Sequence, residues 1–245
     1  MYLKKSIVVL SLLFLFACEK DDALENELFV EKIYSVDIDE MSGLALSSSD
    51  ILYTVSDNTN TIYKLSSTGK ILSSFAYVGQ DFEGIAINPT NRNIYVVEER
   101  MRQILVFDVY GNLLNTLQVN VEVRDLNSGL EGICINPLNG NIFVINEKSP
   151  AKLIELNSSG SLISETKLSF ASDYSDICCS PDGQELWILS DESKTISICD
   201  TKGTLIKQFS VKINQMEGLA IDFNKNIIYI VSDSYKQLYK LTIND

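Results

Sequence analysis

One five-residue phrase constrains this chain more than any other feature. Glu217-Gly218-Leu219-Ala220-Ile221 returns as Ser42-Gly43-Leu44-Ala45-Leu46, as Glu83-Gly84-Ile85-Ala86-Ile87 and as Glu131-Gly132-Ile133-Cys134-Ile135. A degraded copy stands at Ser175-Asp176-Ile177-Cys178-Cys179. The glycine-equivalent positions are 41, 48, 44 and 42 residues apart. A period of this size across 245 residues predicts one repeat domain, built from units that bury their apolar faces against their neighbours.

Each repeat reads as four strands. The phrase comes first, often ending at proline (Asn88-Pro89, Asn136-Pro137, Ser180-Pro181). After a turn comes an aromatic-bearing run such as Ile94-Tyr95-Val96-Val97, then a third run such as Ile104-Leu105-Val106-Phe107. A glycine turn (Gly69, Gly111, Gly160, Gly203) leads to a fourth run such as Thr204-Leu205-Ile206-Lys207-Gln208-Phe209. The runs are short, rich in β-branched and aromatic residues, and bounded by Gly, Asn, Asp or Pro. No helical period is sustained beyond the leader. Four antiparallel strands per repeat make a propeller blade.

The last repeat stops at its third strand, whereas the first phrase is preceded by a spare one. Tyr34-Ser35-Val36-Asp37-Ile38 parallels Phe209-Ser210-Val211-Lys212-Ile213. Docking residues 29–38 onto the last blade closes the ring and removes an exposed edge. The expected fold is therefore an all-β, five-bladed β-propeller, with four antiparallel strands per blade and the N-terminal strand completing the last one. A six-bladed ring is the alternative, but no stretch of 40 residues remains to hold another blade. Tyr53, Tyr95, Phe143, Trp187 and Tyr229 share one repeat position and read as core. Cys134, Cys178, Cys179 and Cys199 read as small buried apolar residues, with a Cys134–Cys178 disulfide between neighbouring inner strands as the alternative.

The leader has its own logic. Lys4 and Lys5 precede an apolar stretch, Ile7 to Phe16, which is too short to span a bilayer. The segment ending Leu15-Phe16-Ala17-Cys18 resembles the lipobox of bacterial lipoproteins, although Phe16 is unusual at its position. The division expected is a signal peptide over 1–17, lipidated Cys18 with a tether over 18–27, and the propeller over 28–245. Glu19-Lys20-Asp21-Asp22 resembles the signal that exports some lipoproteins to the cell surface. The expected location is the bacterial cell envelope, at the outer membrane, on its periplasmic or outer side. The partner expected there is a membrane, through the lipid anchor, and the protein is expected to be a monomer.

Charge and composition narrow the chemistry. The formal net charge is −13, from 33 acidic and 20 basic residues, which argues against a nucleic-acid partner. The chain has no histidine, so histidine-based triads and the usual zinc and iron sites are excluded. Two repeat positions are mostly acidic. One opens the inner strand: Ser42, Glu83, Glu131, Ser175, Glu217. The other ends the second strand: Asp57, Glu99, Glu147, Asp191, Asp233. The two strands are antiparallel neighbours, so both sets fall on one face of the disc, with Asp176 a stand-in for the acid missing from blade 4. Hairpin-end aspartates also satisfy turn amides, but glutamates opening three inner strands fit that role poorly. At roughly 8 Å and an effective dielectric near 20, each pair of charges repels by about 2 kcal/mol. A cation relieves this, as does protonation, and oxygen-only donors favour Ca²⁺. The metal-ligand candidates are Glu83, Glu131, Glu217, Asp57, Glu99, Glu147, Asp191 and Asp233.

A lipobox-like leader, a five-bladed propeller and repeated Glu-Gly-Ile/Leu-Ala phrases together resemble the SdiA-regulated family over residues 27–245. The match is carried by the phrases at Glu83, Glu131 and Glu217, while Ser42 and Ser175 depart from it. The resemblance implies an envelope-associated propeller, with calcium-responsive or phytase-like members. Three functions follow: a non-catalytic lipoprotein binding Ca²⁺ or a small ligand at an acidic mouth, a Ca²⁺-dependent phosphoesterase, and a metal-free interaction scaffold. The second needs Lys and Arg beside the metals, and the acidic face offers only Arg100, Lys148, Lys194 and Lys236. The first is the reading preferred.

Overall fold

The computed structural model describes residues 27–120 and 129–243. The signal peptide, Cys18 and the tether up to residue 26 lie outside the described residues. Two strands precede the first blade, β1 (Glu27–Leu28) and β2 (Val30–Ser35). Blade 1 contains β3 (Met41–Leu46), β4 (Leu52–Ser56), β5 (Thr61–Leu65) and β6 (Ile71–Ala76). Blade 2 contains β7 (Phe82–Ile87), β8 (Ile94–Glu98), β9 (Gln103–Phe107) and β10 (Leu113–Gln118). Blade 3 contains β11 (Leu130–Ile135), β12 (Ile142–Asn146), β13 (Lys152–Leu156) and β14 (Leu162–Lys167). Blade 4 contains β15 (Asp176–Cys179), β16 (Glu185–Ser190), β17 (Thr195–Asp200) and β18 (Leu205–Val211). Blade 5 has β19 (Met216–Asp222), β20 (Ile227–Ser232) and β21 (Gln237–Thr242), completed by β2.

The ring closes where the sequence places the closure. β2 pairs antiparallel with β21, from Val30 opposite Leu241 to Ser35 opposite Gln237. A second, unforeseen contact supports it. Glu27, assigned by sequence to the tether, opens β1, which lies parallel to the end of β18 with Glu27 opposite Ser210 and Leu28 opposite Val211. Blade 4 thus has a fifth strand.

The apolar residues form five clusters, each sandwiched between two neighbouring blades. Met41, Leu44 and Leu52 of blade 1 pack with Ala220, Tyr229 and Val231 of blade 5. Phe82, Ile85 and Phe107 of blade 2 pack with Tyr53, Val55 and Ile62 of blade 1. Tyr53, Tyr95, Phe143, Trp187 and Tyr229 are all buried in these seams, as their repeat position predicts. All four described cysteines carry free thiols.

The phrase glycines bring the inner strands together at the axis. A Cβ on Gly84 would stand 2.3 Å from the carbonyl oxygen of Glu131, and one on Gly218 would stand 2.6 Å from the carbonyl carbon of Gly43. No side chain fits there, so glycine is what lets neighbouring inner strands touch.

Candidate cation site in the mouth of the channel

A β-bulge shapes the mouth. In blades 1, 2, 3 and 5 the register between the first two strands shifts at the start of the phrase: Ser42/Leu44, Phe82/Ile85, Leu130/Ile133 and Met216/Gly218. A bulge re-aims the residue it displaces. Here Ser42, Glu83, Glu131 and Glu217 all line one cavity of about 340 Å³. In blade 4 the pairing runs without a shift from Asp176 opposite Leu189, and Ser175 stands at the cavity wall.

Asp57, Glu147, Asp191 and Asp233 line the same cavity, so seven of the eight sequence candidates share this mouth. The eighth, Glu99, turns aside. It is buried, and its carboxylate accepts the amide of Gly129 at 2.7 Å. Asp176 does not serve as the missing acid of the mouth. It occupies the axial glycine position of blade 4, is fully buried, and accepts the amides of Leu219 at 2.7 Å, Ile177 at 2.8 Å and Leu44 at 3.0 Å. Ahead of the blade 4 inner strand the mouth is lined instead by the buried Asp173, which accepts the hydroxyl of Ser190 and the amide of Glu192. Ser42 is no simple gap either, since its hydroxyl donates to Glu83 Oε2 at 2.9 Å.

The mouth also holds acids that the repeat reading missed: Glu40, Asp173 and Glu192, with Asp81 in an adjoining cavity. Glu40, Asp81 and Gln215 occupy the position two residues ahead of the phrase acid, and all three have a left-handed backbone, with φ of 46°, 63° and 53°. Extending the repeat alignment two residues upstream recovers three of the missed acids, Glu40, Asp81 and Asp173, the last standing two residues ahead of Ser175.

Burial, with the neighbouring carboxylates adding to it, raises the pKa of these groups. Burial pushes Glu83 and Glu131 well above the usual carboxylate range, and for Glu131 the charge of Glu83 adds to it. Burial, then the charges of Asp233 and Asp191, push Glu217 up to about 8. Burial lifts Glu99 to about 7 and Asp176 to about 8, against the amide hydrogen bonds that each accepts. Burial also raises Asp57, with Glu40 contributing.

Carboxylate oxygens of Asp57, Asp81 and Glu83 lie within 4.8 Å of one another. Such spacing fits oxygens that ligate one cation at about 2.3–2.6 Å, the range for Ca²⁺. This hard-oxygen donor set, without thiolate or imidazole, suits Ca²⁺. Among the described residues, Arg100, Lys148, Lys194 and Lys236 on this face are each held by acids. Arg100 Nε lies 2.6 Å from Asp81, and Lys148 Nζ lies 2.7 Å from Glu147 and 3.3 Å from Glu192. Lys194 Nζ lies 2.6 Å from Asp191, and Lys236 pairs with Asp39. They neutralise the rim and, among the described residues, leave no converging group of bases for a phosphate.

The sequence model of the SdiA-regulated family matches residues 20–241. No curated protein matches the chain. Among solved structures, glutaminyl cyclase from Myxococcus xanthus superposes with a TM-score of 0.71 at 13% identity, over 90% of this chain and 98% of that one. Virginiamycin B lyase from Staphylococcus aureus superposes with a TM-score of 0.54 at 15% identity, over 83% of this chain and 66% of that one. A nidogen/laminin complex gives 0.57 at 13% identity, over 83% and 80%. At these identities the likeness is one of fold.

Proposed function

This chain belongs to the SdiA-regulated family, and from that premise we propose that it is an envelope lipoprotein that binds a divalent cation, Ca²⁺ by its chemistry, at the acidic mouth, without catalysis. The carrying observation is the mouth itself: ten carboxylates from all five blades line one cavity of about 340 Å³. Repulsion of this kind costs stability until protons or a cation offset it. A cation bound only by the folded protein stabilises it by about 2.7 kcal/mol at a hundredfold excess over Kd. Calcium titration followed by thermal melting tests the reading. A midpoint rise of about 5–10 °C at millimolar Ca²⁺ is expected for a domain of this size, and an unmoved midpoint overturns it.

The anchor rests on Lys4, Lys5, the apolar run Ile7 to Phe16, and Ala17-Cys18. Its test is incorporation of labelled palmitate, expected to vanish in Cys18→Ala. The phosphoesterase alternative loses support because Arg100, Lys148, Lys194 and Lys236 are taken up by carboxylates. Ca²⁺-dependent release of phosphate from phytate, abolished by Glu83→Gln, would restore it.

A further inference from the structure

We infer that the cation seat lies off the axis, between blades 1 and 2, and that Arg100 is an internal cation that competes for it. This rests on the cation-binding reading above and deepens it.

The seat is marked by oxygens that have nothing to bond. Asp57 Oδ1 and Asn60 Oδ1 are both buried and accept no hydrogen bond. Leaving a buried acceptor unsatisfied is costly, so two lining one cavity call for a partner. Asp57 and Asn60 line the same cavity, of about 490 Å³, together with Asp81. Asp57, Asp81 and Glu83 supply three carboxylates close enough to share one ion. Three carboxylates and an amide carbonyl are hard donors of the kind that Ca²⁺ takes. No other group of three or more acids and thiols among the described residues comes this close together.

Arg100 lines that cavity as well. Its Nε donates to Asp81 Oδ2 at 2.6 Å, and the side chain is otherwise 65% exposed. An exposed ion pair holds loosely. It can therefore yield to an incoming ion. A positive charge one carboxylate away still repels a divalent cation, even in a water-like dielectric. Arg100 thus lowers the affinity of the seat and sets the concentration at which it fills. Lys148 is the natural comparison, because it pairs with Glu147 and Glu192 of blades 3 and 4, away from the seat.

Isothermal titration of CaCl₂ into the full chain, as wild type, Arg100→Gln and Lys148→Gln, separates the possibilities. Arg100→Gln is expected to tighten binding about three- to tenfold, and Lys148→Gln to change it less than twofold. Asn60→Ala is expected to weaken it. Binding by Arg100→Gln alone also supports the proposal. An unchanged or weaker Kd in Arg100→Gln overturns it, as does an equal effect of Lys148→Gln, while cation binding itself stands. No binding heat in any variant overturns the cation-binding reading and this inference with it. Equal melting midpoints without Ca²⁺ show that the variants are folded.

Discussion

The amide of Leu219 donates to the carboxylate of Asp176 across the boundary between blades 5 and 4, at 2.7 Å. The amide of Leu44 in blade 1 reaches the same oxygen at 3.0 Å. One side chain at the axis therefore ties three blades together. Asp176→Ala removes the acceptor of three buried amides, those of Leu219, Leu44 and Ile177, at about 1–3 kcal/mol for each left without a partner. We expect it to lower unfolding free energy by about 3 kcal/mol, and Asp176→Asn, which keeps an acceptor, by less. Urea titration at fixed Ca²⁺ reads the difference, and a loss below about 0.5 kcal/mol for the alanine variant is inconsistent with the tie.

Stability should fall as pH rises. Glu217 and Asp176 are pushed up to about 8, and Glu83 and Glu131 stand well above their ordinary range. A raised folded-state pKa means that the folded protein holds the proton more tightly than the unfolded chain. The resulting stability is complete below the ordinary carboxylate pKa and is lost as pH climbs through about 8. Calorimetry without Ca²⁺ should give a lower melting midpoint at about pH 8.5 than at about pH 5.5. Added Ca²⁺ should recover more at the higher pH, where fewer protons compete. A midpoint that rises with pH is the contrary result.

The glycine contacts predict a sharp contrast. Gly84→Ala places a methyl 2.3 Å from the carbonyl oxygen of Glu131 and should cost more than about 3 kcal/mol. Gly140→Ala meets nothing closer than Ser158 Cβ at 4.0 Å, so it carries only the cost of its positive φ of 73°, about 1 kcal/mol. Chemical denaturation of the two variants side by side tests whether the axis is as tightly packed as the geometry has it.

Ring closure predicts a threshold in N-terminal truncation. A chain beginning at Glu27 keeps β1 and β2 and should melt in one transition. A chain beginning at Val36 loses both, leaving the edge of β21 bare. It should melt at least ~10 °C lower, or aggregate, by static light scattering. Equal midpoints for the two chains would show that closure contributes little.

The blades were legible in the sequence because one physical demand repeats in each. Gly43, Gly84, Gly132 and Gly218 answer the same steric limit at the axis, and Tyr53 and its counterparts fill the same seam. Ring closure was legible for the same reason, since residues 34–38 copy residues 209–213. The site was legible only in part. Glu83, Glu131 and Glu217 announce themselves by sharing a position in the phrase. Asp81 is less plain, because it stands two residues ahead of the phrase, in the loop before its strand, where blades 3 and 5 carry Gly129 and Gln215 in place of an acid. Nor does sequence tell which way a carboxylate turns. Glu99 and Glu147 hold equivalent positions, yet one bonds the Gly129 amide and the other pairs with Lys148 at the mouth. Asp176 shows the limit best. Set one place out of register with the phrase acid, it reads as an acid of the mouth, but it stands where the other blades have glycine and fills the space they leave.

The short strand β1 bears on how the ring carries mechanical load. Any pull on the segment before Glu27 meets the edge of blade 4 before it meets the closing strand. β1 lies parallel to β18, and Lys212 pairs with Glu27 beside it. Tension is thus taken first by a clamp that can be lost without opening the ring. The seam between β2 and β21, whose failure would open it, stands one step behind.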